Sequence, residues 1–214
     1  MEKDIEYIEQ LLFQNSSQID ELRSYATEHN VPIMDKISTE FVKQIIRIKD
    51  VKNILEIGTA IGYSAMHFAS CNPNLKVWTI ERSEEMYEQA LSNIKHYQFD
   101  NQIDVIFSDA LEAYDLLPPN ETFDMIFIDA AKAQSQKFFE LYEPLLNNEG
   151  IIITDNILYH GFVSDIDIVR NRNVKQMVKK VQNYNQWLMN HSDYTTTLIN
   201  IGDGMAISKK EHTK

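Results

Sequence analysis

The sequence predicts an α/β fold, a mostly parallel sheet with helices on both faces and an antiparallel hairpin near its C-terminal end. Three observations carry this reading. Short apolar runs recur after Lys52: "NILEIG" (53–58), "KVWTIE" (76–81), "IDVIFSD" (103–109), "FDMIFID" (123–129) and "GIIITDN" (150–156). Helix-like segments near 63–70, 84–98, 111–117 and 133–146 lie between them, and such alternation is the pattern of parallel strands joined by crossover helices. Finally, "TTTLINIGDGMAIS" (195–208) places two strand patterns around Gly202-Asp203-Gly204, which reads as a hairpin.

The remaining elements follow in chain order. Ile5, Ile8, Leu11, Leu12, Ile19 and Leu22 fall near helical spacing across residues 3–29. Pro32 interrupts that pattern, and "DKISTEFVKQIIRI" (35–48) reads as a second amphipathic helix. A long polar-apolar helix is expected at roughly 166–190. No linker, repeat or low-complexity tract divides the chain. One domain over 1–214 is expected, with N-terminal helices at 1–48 and a core at 49–208. The Phe, Tyr and Met residues of the opening helices read as core or as contacts between two copies, so a homodimer is expected.

Composition narrows the function classes. Of 214 residues, 43% are hydrophobic and 24% charged, a soluble globular balance. No apolar run approaches the ~20 residues of a membrane span, so no membrane partner is expected. The acidic, amphipathic "MEKDIEYIEQLLFQ" does not read as a signal peptide. A single cysteine, Cys71, excludes an internal disulfide and a multi-cysteine metal cluster. A reducing cytoplasm is the expected location. The net charge of −12 argues against a broad nucleic-acid surface. It leaves room for a local basic face, and "RNRNVKQMVKK" (170–180) supplies one, with Arg170, Arg172, Lys175, Lys179 and Lys180 and no acid.

Acids mark the ends of the strand candidates. Glu81, Asp109, Asp129 and Asp155 each end an apolar run or follow it closely, and open α/β sheets bind ligands outside the carboxyl ends of their strands. The first strand contains Glu56 and leads into the glycine turn "EIGTAIGYS" (56–64). Gly58 frees the backbone to turn beside a ligand. Gly62 opens a helix whose N–H groups suit a carboxylate. Glu81 lies 23 residues after Gly58, near the ~20-residue spacing at which an acid receives ribose hydroxyls. "SDA" (108–110) could hold an adenine edge, with Asp109 accepting from the exocyclic amine. No Walker-type loop accompanies these residues, so a nucleoside without phosphates fits best.

Together, "ILEIGTAIGYSAMHFA", "TIERSEEMYEQA", "FDMIFIDAAK" and "GIIITDN" resemble, in order and spacing, the S-adenosylmethionine-dependent O-methyltransferases of the cation-dependent, catechol and caffeoyl-CoA kind. The likeness covers about residues 30–208. In length and layout it is nearest to the bacterial branch that includes tRNA 5-hydroxyuridine methyltransferase. The resemblance implies a Rossmann-like, class I, seven-stranded sheet whose last hairpin inserts an antiparallel strand. It also implies that Met34 and Glu56 lie near the methionine end of the cofactor and that Gly58 and Ser64 form the turn. Glu81 would lie on the ribose, and Asp109 with Ala110 by the adenine.

If the fourth and fifth strands are neighbours, Asp129, Asp155 and Asn156 converge on one rim. An all-oxygen set suits a hard cation, with Mg²⁺ the default, and the resemblance gives these residues the metal. A metal-held hydroxyl is acidified and positioned for methylation, and Lys132 can take its proton, the role the resemblance also gives it. Asp129 would in addition orient the methionine moiety. Of six histidines, His29, His67, His96, His160, His191 and His212, His160 in "NILYHGFV" stands nearest the metal pair and reads as a loop residue that could face substrate.

Three functions remain open at this point. Arg170, Arg172 and Lys175 would contact the phosphates of tRNA during 5-hydroxyuridine methylation. A small catechol-like phenol would need only a shallow aromatic mouth. A non-catalytic nucleoside-binding module would leave Lys132 and the oxygen triad without a purpose.

Overall fold

The computed structural model describes residues 2–14 and 17–211. Its sheet contains β1 (Asn53–Ile57), β2 (Lys76–Glu81), β3 (Ile103–Phe107), β4 (Phe123–Ile128), β5 (Leu146–Asp155), β6 (Tyr194–Ile199) and β7 (Met205–Lys210). The order is β3-β2-β1-β4-β5-β7-β6. β1 to β5 pair in parallel, and β7 runs antiparallel to both β5 and β6. The seven-stranded α/β fold expected from the sequence is thus present, inserted hairpin included.

The parallel strands are apolar because both faces are covered. Along β1, β4 and β5, Ile54, Met125, Phe127, Ile151 and Ile153 face one core, shared with Val42 of α3 (Lys36–Lys49), Phe68 of α4 (Tyr63–Ala69) and Ile94 of α5 (Glu84–His96). Leu55, Ile57, Ile126, Ile128 and Ile152 face the other, under Phe139 of α6 (Ser135–Tyr142) and Leu188 of α7 (Arg172–Met189). Phe68 meets Phe127 edge-on at 5.1 Å between centroids.

Three helix expectations need correction. The 3–29 pattern breaks into a helix at Glu2–Phe13 (α1), a 3-10 turn at Gln18–Glu21 and a second helix at Leu22–Glu28 (α2). The break is fixed locally, since the Ser17 N–H donates to the Asp20 carboxylate at 2.9 Å and offers the chain an alternative to continued helix. The segment near 111–117 forms only a single 3-10 turn, Tyr114–Leu116. The helix expected from 166 begins at Arg172, because the Asn171 side chain caps it, accepting from the N–H groups of Asn173 and Val174. Among the described residues no helix is long and apolar enough to cross a membrane. His212 lies outside the described residues.

The chain leaves β1 toward β2 and β3 on one side, then returns to add β4 and β5 on the other. The strand order therefore reverses between β1 and β4, and a crevice opens at their carboxyl ends. The site forms there.

Candidate active site

At that reversal the two strand ends are pressed together. The Asp129 N–H donates to the Ile57 carbonyl at 3.0 Å, and the Gly58 N–H to the Ile80 carbonyl at 3.1 Å. A Cβ on Gly58 would collide with the backbone carbonyl of Asp129, and Gly58 itself sits at φ +104°. Only glycine meets both demands.

A cavity of about 240 Å³ opens above this junction. Met34, Gly58, Ser64, Glu81, Asp109, Ala110 and Asp129 all line it, so residues from four separate sequence motifs, and Met34 from outside them, meet around one cavity. Glu81 does more than end a strand. One of its carboxylate oxygens accepts the Ala60 N–H at 2.9 Å, and the other accepts those of Arg82 and Ser83 at 2.9 Å. It therefore ties the glycine turn to β2. Asp109 accepts the Leu111 N–H at 2.9 Å and faces the Arg82 guanidinium at 3.7 Å.

Glu56 does not reach that wall. It is fully buried beneath it, accepting the Ser64 and Thr79 hydroxyls at 2.5 Å each, so it touches the cavity only through Ser64. Burial pushes its carboxyl up to about 8 from an ordinary 4.5, against the pull of those hydroxyls. Because the folded value lies above the unfolded one, the stabilising difference is complete below pH 4.5 and is lost as pH rises toward 8. Glu56→Gln, uncharged throughout, should remove a slope of up to about 1.4 kcal/mol per pH unit from that window. Urea unfolding of both proteins at several pH values checks this, and parallel pH profiles would refute it.

A second cavity, of about 520 Å³, adjoins the first. Pro32, Ile33, Met34 and Asp129 line both. Asp155 and Asn156 line the second, because Ile128 pairs with Thr154 and the next residue of each strand projects at the same rim. Its other walls were not legible as site residues. Ile5 and Ile8 come from α1, Asp35 and Ile37 from the start of α3, and Gly202 and Asp203 from the hairpin turn.

Asp155 is only 3% exposed. Burial first, and the Asp129 charge second, push its carboxyl up to about 7, while Lys132 pulls the other way. Lys132 itself donates to Asp129 at 2.7 Å. Among the described residues no three His, Cys, Asp or Glu side chains gather around one point; the triad here is two carboxylates and an amide. A buried carboxylate short of positive charge, beside a second one, is a donor set that suits a hard cation.

The other candidates lie elsewhere. His160 is exposed and does not line either cavity; its N–H donates to Asp203 at 2.5 Å. Arg170, Arg172 and Lys175 also stay off both walls. Arg170 and Arg172 are exposed, and the Lys175 ammonium stands 3.5 Å from Asp167.

The family model described as O-methyltransferase matches residues 10–211. The chain belongs to that family. The S-adenosylmethionine-dependent methyl transfer expected from the sequence is the activity of this O-methyltransferase's family, and a non-catalytic nucleoside-binding module is set aside. A crystallised protein from Staphylococcus aureus, named as a candidate caffeoyl-CoA O-methyltransferase, is 54% identical with a TM-score of 0.93, covering 96% of this chain and 98% of that one. A candidate caffeoyl-CoA O-methyltransferase of Arabidopsis thaliana is 30% identical over 186 residues, 86% of this O-methyltransferase and 79% of the plant protein. An O-methyltransferase from Bacillus cereus, crystallised with S-adenosylhomocysteine (SAH), is 25% identical with a TM-score of 0.84, and covers 96% of each chain.

Proposed function

We propose that this O-methyltransferase binds S-adenosylmethionine in the 240 Å³ cavity and its acceptor in the 520 Å³ chamber, and that the methyl group passes between them beside Asp129. One observation carries the reading: Asp129 stands on the wall of both cavities with the Lys132 ammonium 2.7 Å away. The nucleoside end lies between Glu81 and Asp109, and the methionine end lies toward Met34 and Ser64. Glu81→Ala should therefore weaken donor binding more than it slows transfer at saturating donor. Calorimetry with SAH checks this, and an unchanged affinity would misplace the ribose.

Asp129, Asp155 and Asn156 would hold a divalent cation, Mg²⁺ by the hardness of three oxygen donors. Bound there, such a cation would supply the positive charge that acidifies and positions an acceptor hydroxyl. Lys132 accepts the proton from that hydroxyl once its own ammonium has given one up. The acceptor oxygen takes the methyl as the carbon–sulfur bond breaks, and Asp129 holds the two cavities in line. The isoleucines of the chamber, Ile5, Ile8, Ile33 and Ile37, offer apolar surface to a flat ring.

The acceptor we propose is 5-hydroxyuridine in tRNA, at the wobble position of the anticodon, giving 5-methoxyuridine. Its 5-hydroxyl lies beside the C4 carbonyl, so it offers the two adjacent oxygens of a catechol. Arg170, Arg172 and Lys175 favour tRNA, since they bring three cations to the run that leads into α7 on a chain of charge −12. A small phenol is the second reading, favoured by the caffeoyl-CoA names of the Staphylococcus aureus and Arabidopsis relatives. A homodimer accompanies either reading, supported by the exposed Tyr7, Leu11 and Phe13 of α1. The deciding experiment offers purified enzyme hydroxyuridine-containing tRNA and catechol in parallel. Transfer to tRNA should fall steeply with salt and with neutralisation of the three basic residues. Turnover of catechol with none of tRNA would select the phenol.

A further inference from the structure

Residues 29–35 form a strap between α2 and α3, and its Pro32, Ile33 and Met34 line both cavities. The strap is thus, with Asp129, a wall common to both. It is tied at its start by the Val31 N–H donating to the Ala26 carbonyl at 2.9 Å. Near its end, Arg23 Nη2 donates to the Met34 carbonyl at 2.9 Å. Asp35 then caps α3, accepting the Ser38 N–H at 2.9 Å.

Behind the strap lies a buried polar cluster centred on Asp20, whose side chain is 6% exposed. Asp20 Oδ2 accepts from Lys36 Nζ at 2.6 Å and from the Ser17 N–H at 2.9 Å. Its Oδ1 accepts the Tyr63 hydroxyl at 2.9 Å and faces His67 Nε2 at 3.4 Å and Arg23 Nε at 3.8 Å. Tyr63 is a wall residue of the 240 Å³ cavity, and the Arg23 guanidinium lies over its ring, 5.1 Å from the centroid. One carboxylate therefore bonds the lysine that begins α3 and the tyrosine that walls the first cavity, and faces at ion-pair distance the arginine that grips the strap.

Stability alone does not account for such a cluster. Apolar residues of similar volume commonly stabilise a fold as well as a buried ion pair does, because desolvation offsets the attraction between the charges. What the charges supply is a fixed geometry. We infer that Asp20 is a positioning residue for donor binding, holding the Pro32–Met34 strap and Tyr63 against the 240 Å³ cavity so that its carboxylate sets donor affinity. The inference rests on the proposed reading of that cavity as the S-adenosylmethionine site. Asp20 itself lines neither cavity, so it acts only through its partners.

The test compares wild type, Asp20→Asn and the double variant Asp20→Asn/Lys36→Met, by SAH calorimetry, kcat at saturating donor and thermal melting. Asp20→Asn leaves the buried Lys36 ammonium with only Glu40, 3.6 Å away, and should lower the melting temperature. Lys36→Met removes that stranded charge, so the double variant should regain melting temperature. Donor affinity should fall at least about tenfold in Asp20→Asn and stay low in the double variant, a decoupling that mutant cycles are built to detect. kcat should remain within about threefold of wild type, since transfer between bound partners is untouched. Affinity that is unchanged in Asp20→Asn, or that recovers together with melting temperature, would reduce Asp20 to a structural role and overturn the inference. If the double variant also fails to fold, the cluster is structural and the inference falls. Wild-type protein that does not bind SAH would instead overturn the cofactor reading beneath it.

Discussion

Replacing Lys132 by alanine is expected to lower kcat by about 10²–10⁴-fold, the usual loss when a positioned base is removed, with SAH affinity unchanged within about threefold. The expectation follows from where the side chain stands. Lys132 opens the 3-10 turn that follows β4, donates to Asp129 at 2.7 Å and is 17% exposed. It lines a small recess with Asp155 and Asn156 and lies off the walls of both larger cavities. Removing it should therefore spare the donor and affect the proton. Lys132→Arg separates charge from basicity, since a guanidinium keeps the positive charge yet does not give up its proton. The arginine variant should be slow as well. A Lys132→Ala enzyme that keeps more than about a tenth of wild-type kcat would remove lysine from the proton transfer.

Removing divalent cations is expected to abolish turnover, and Mg²⁺ should restore it. Asp155 is buried beside a second carboxylate, and among the described residues the ammonium that reaches this pair, that of Lys132, is bonded to Asp129 rather than to Asp155. Buried charge without a partner is costly, so a bound cation would relieve the cluster as well as serve the acceptor. Asp155→Asn keeps the size of the side chain and halves the carboxylate charge of the pair. It should raise the Mg²⁺ concentration for half-maximal rate by roughly tenfold or more, at least the cost of disturbing a supporting ligand. Zn²⁺ should substitute poorly, since no histidine or cysteine joins the oxygen donors. Full activity in chelator-treated, metal-free enzyme would reject the assignment.

Much of this site was legible in the sequence because parallel strands deliver their last residues to one rim. Asp109, Asp129 and Asp155 are separated along the chain, yet each ends or just follows an apolar run, and sheet order alone brings the last two together. Glu56 shows the limit. It lies inside β1 beside residues read as ligand-binding, but strand periodicity puts it on the face of Ile54, under α4 and away from the cavity. The walls of the 520 Å³ chamber were hidden for a different reason. Ile5 and Ile8 have the spacing of any amphipathic helix, and that spacing does not say whether the apolar face meets a core or a ligand. The basic run at 170–180 revealed charge without position, since the cap at Asn171 that starts α7 fixes where those side chains project. The strap was marked only by Pro32, which signals a break in a helix and nothing about what passes on either side.

The most direct test of the account is a crystal structure of the enzyme with SAH and Mg²⁺. The nucleoside should lie between Glu81 and Asp109, with the sulfur pointing past Asp129 into the 520 Å³ chamber. The cation should sit about 2.1 Å from oxygens of Asp129, Asp155 and Asn156. A sulfur directed away from the chamber, or a cation held by other residues, would contradict methyl transfer at the junction of the two cavities.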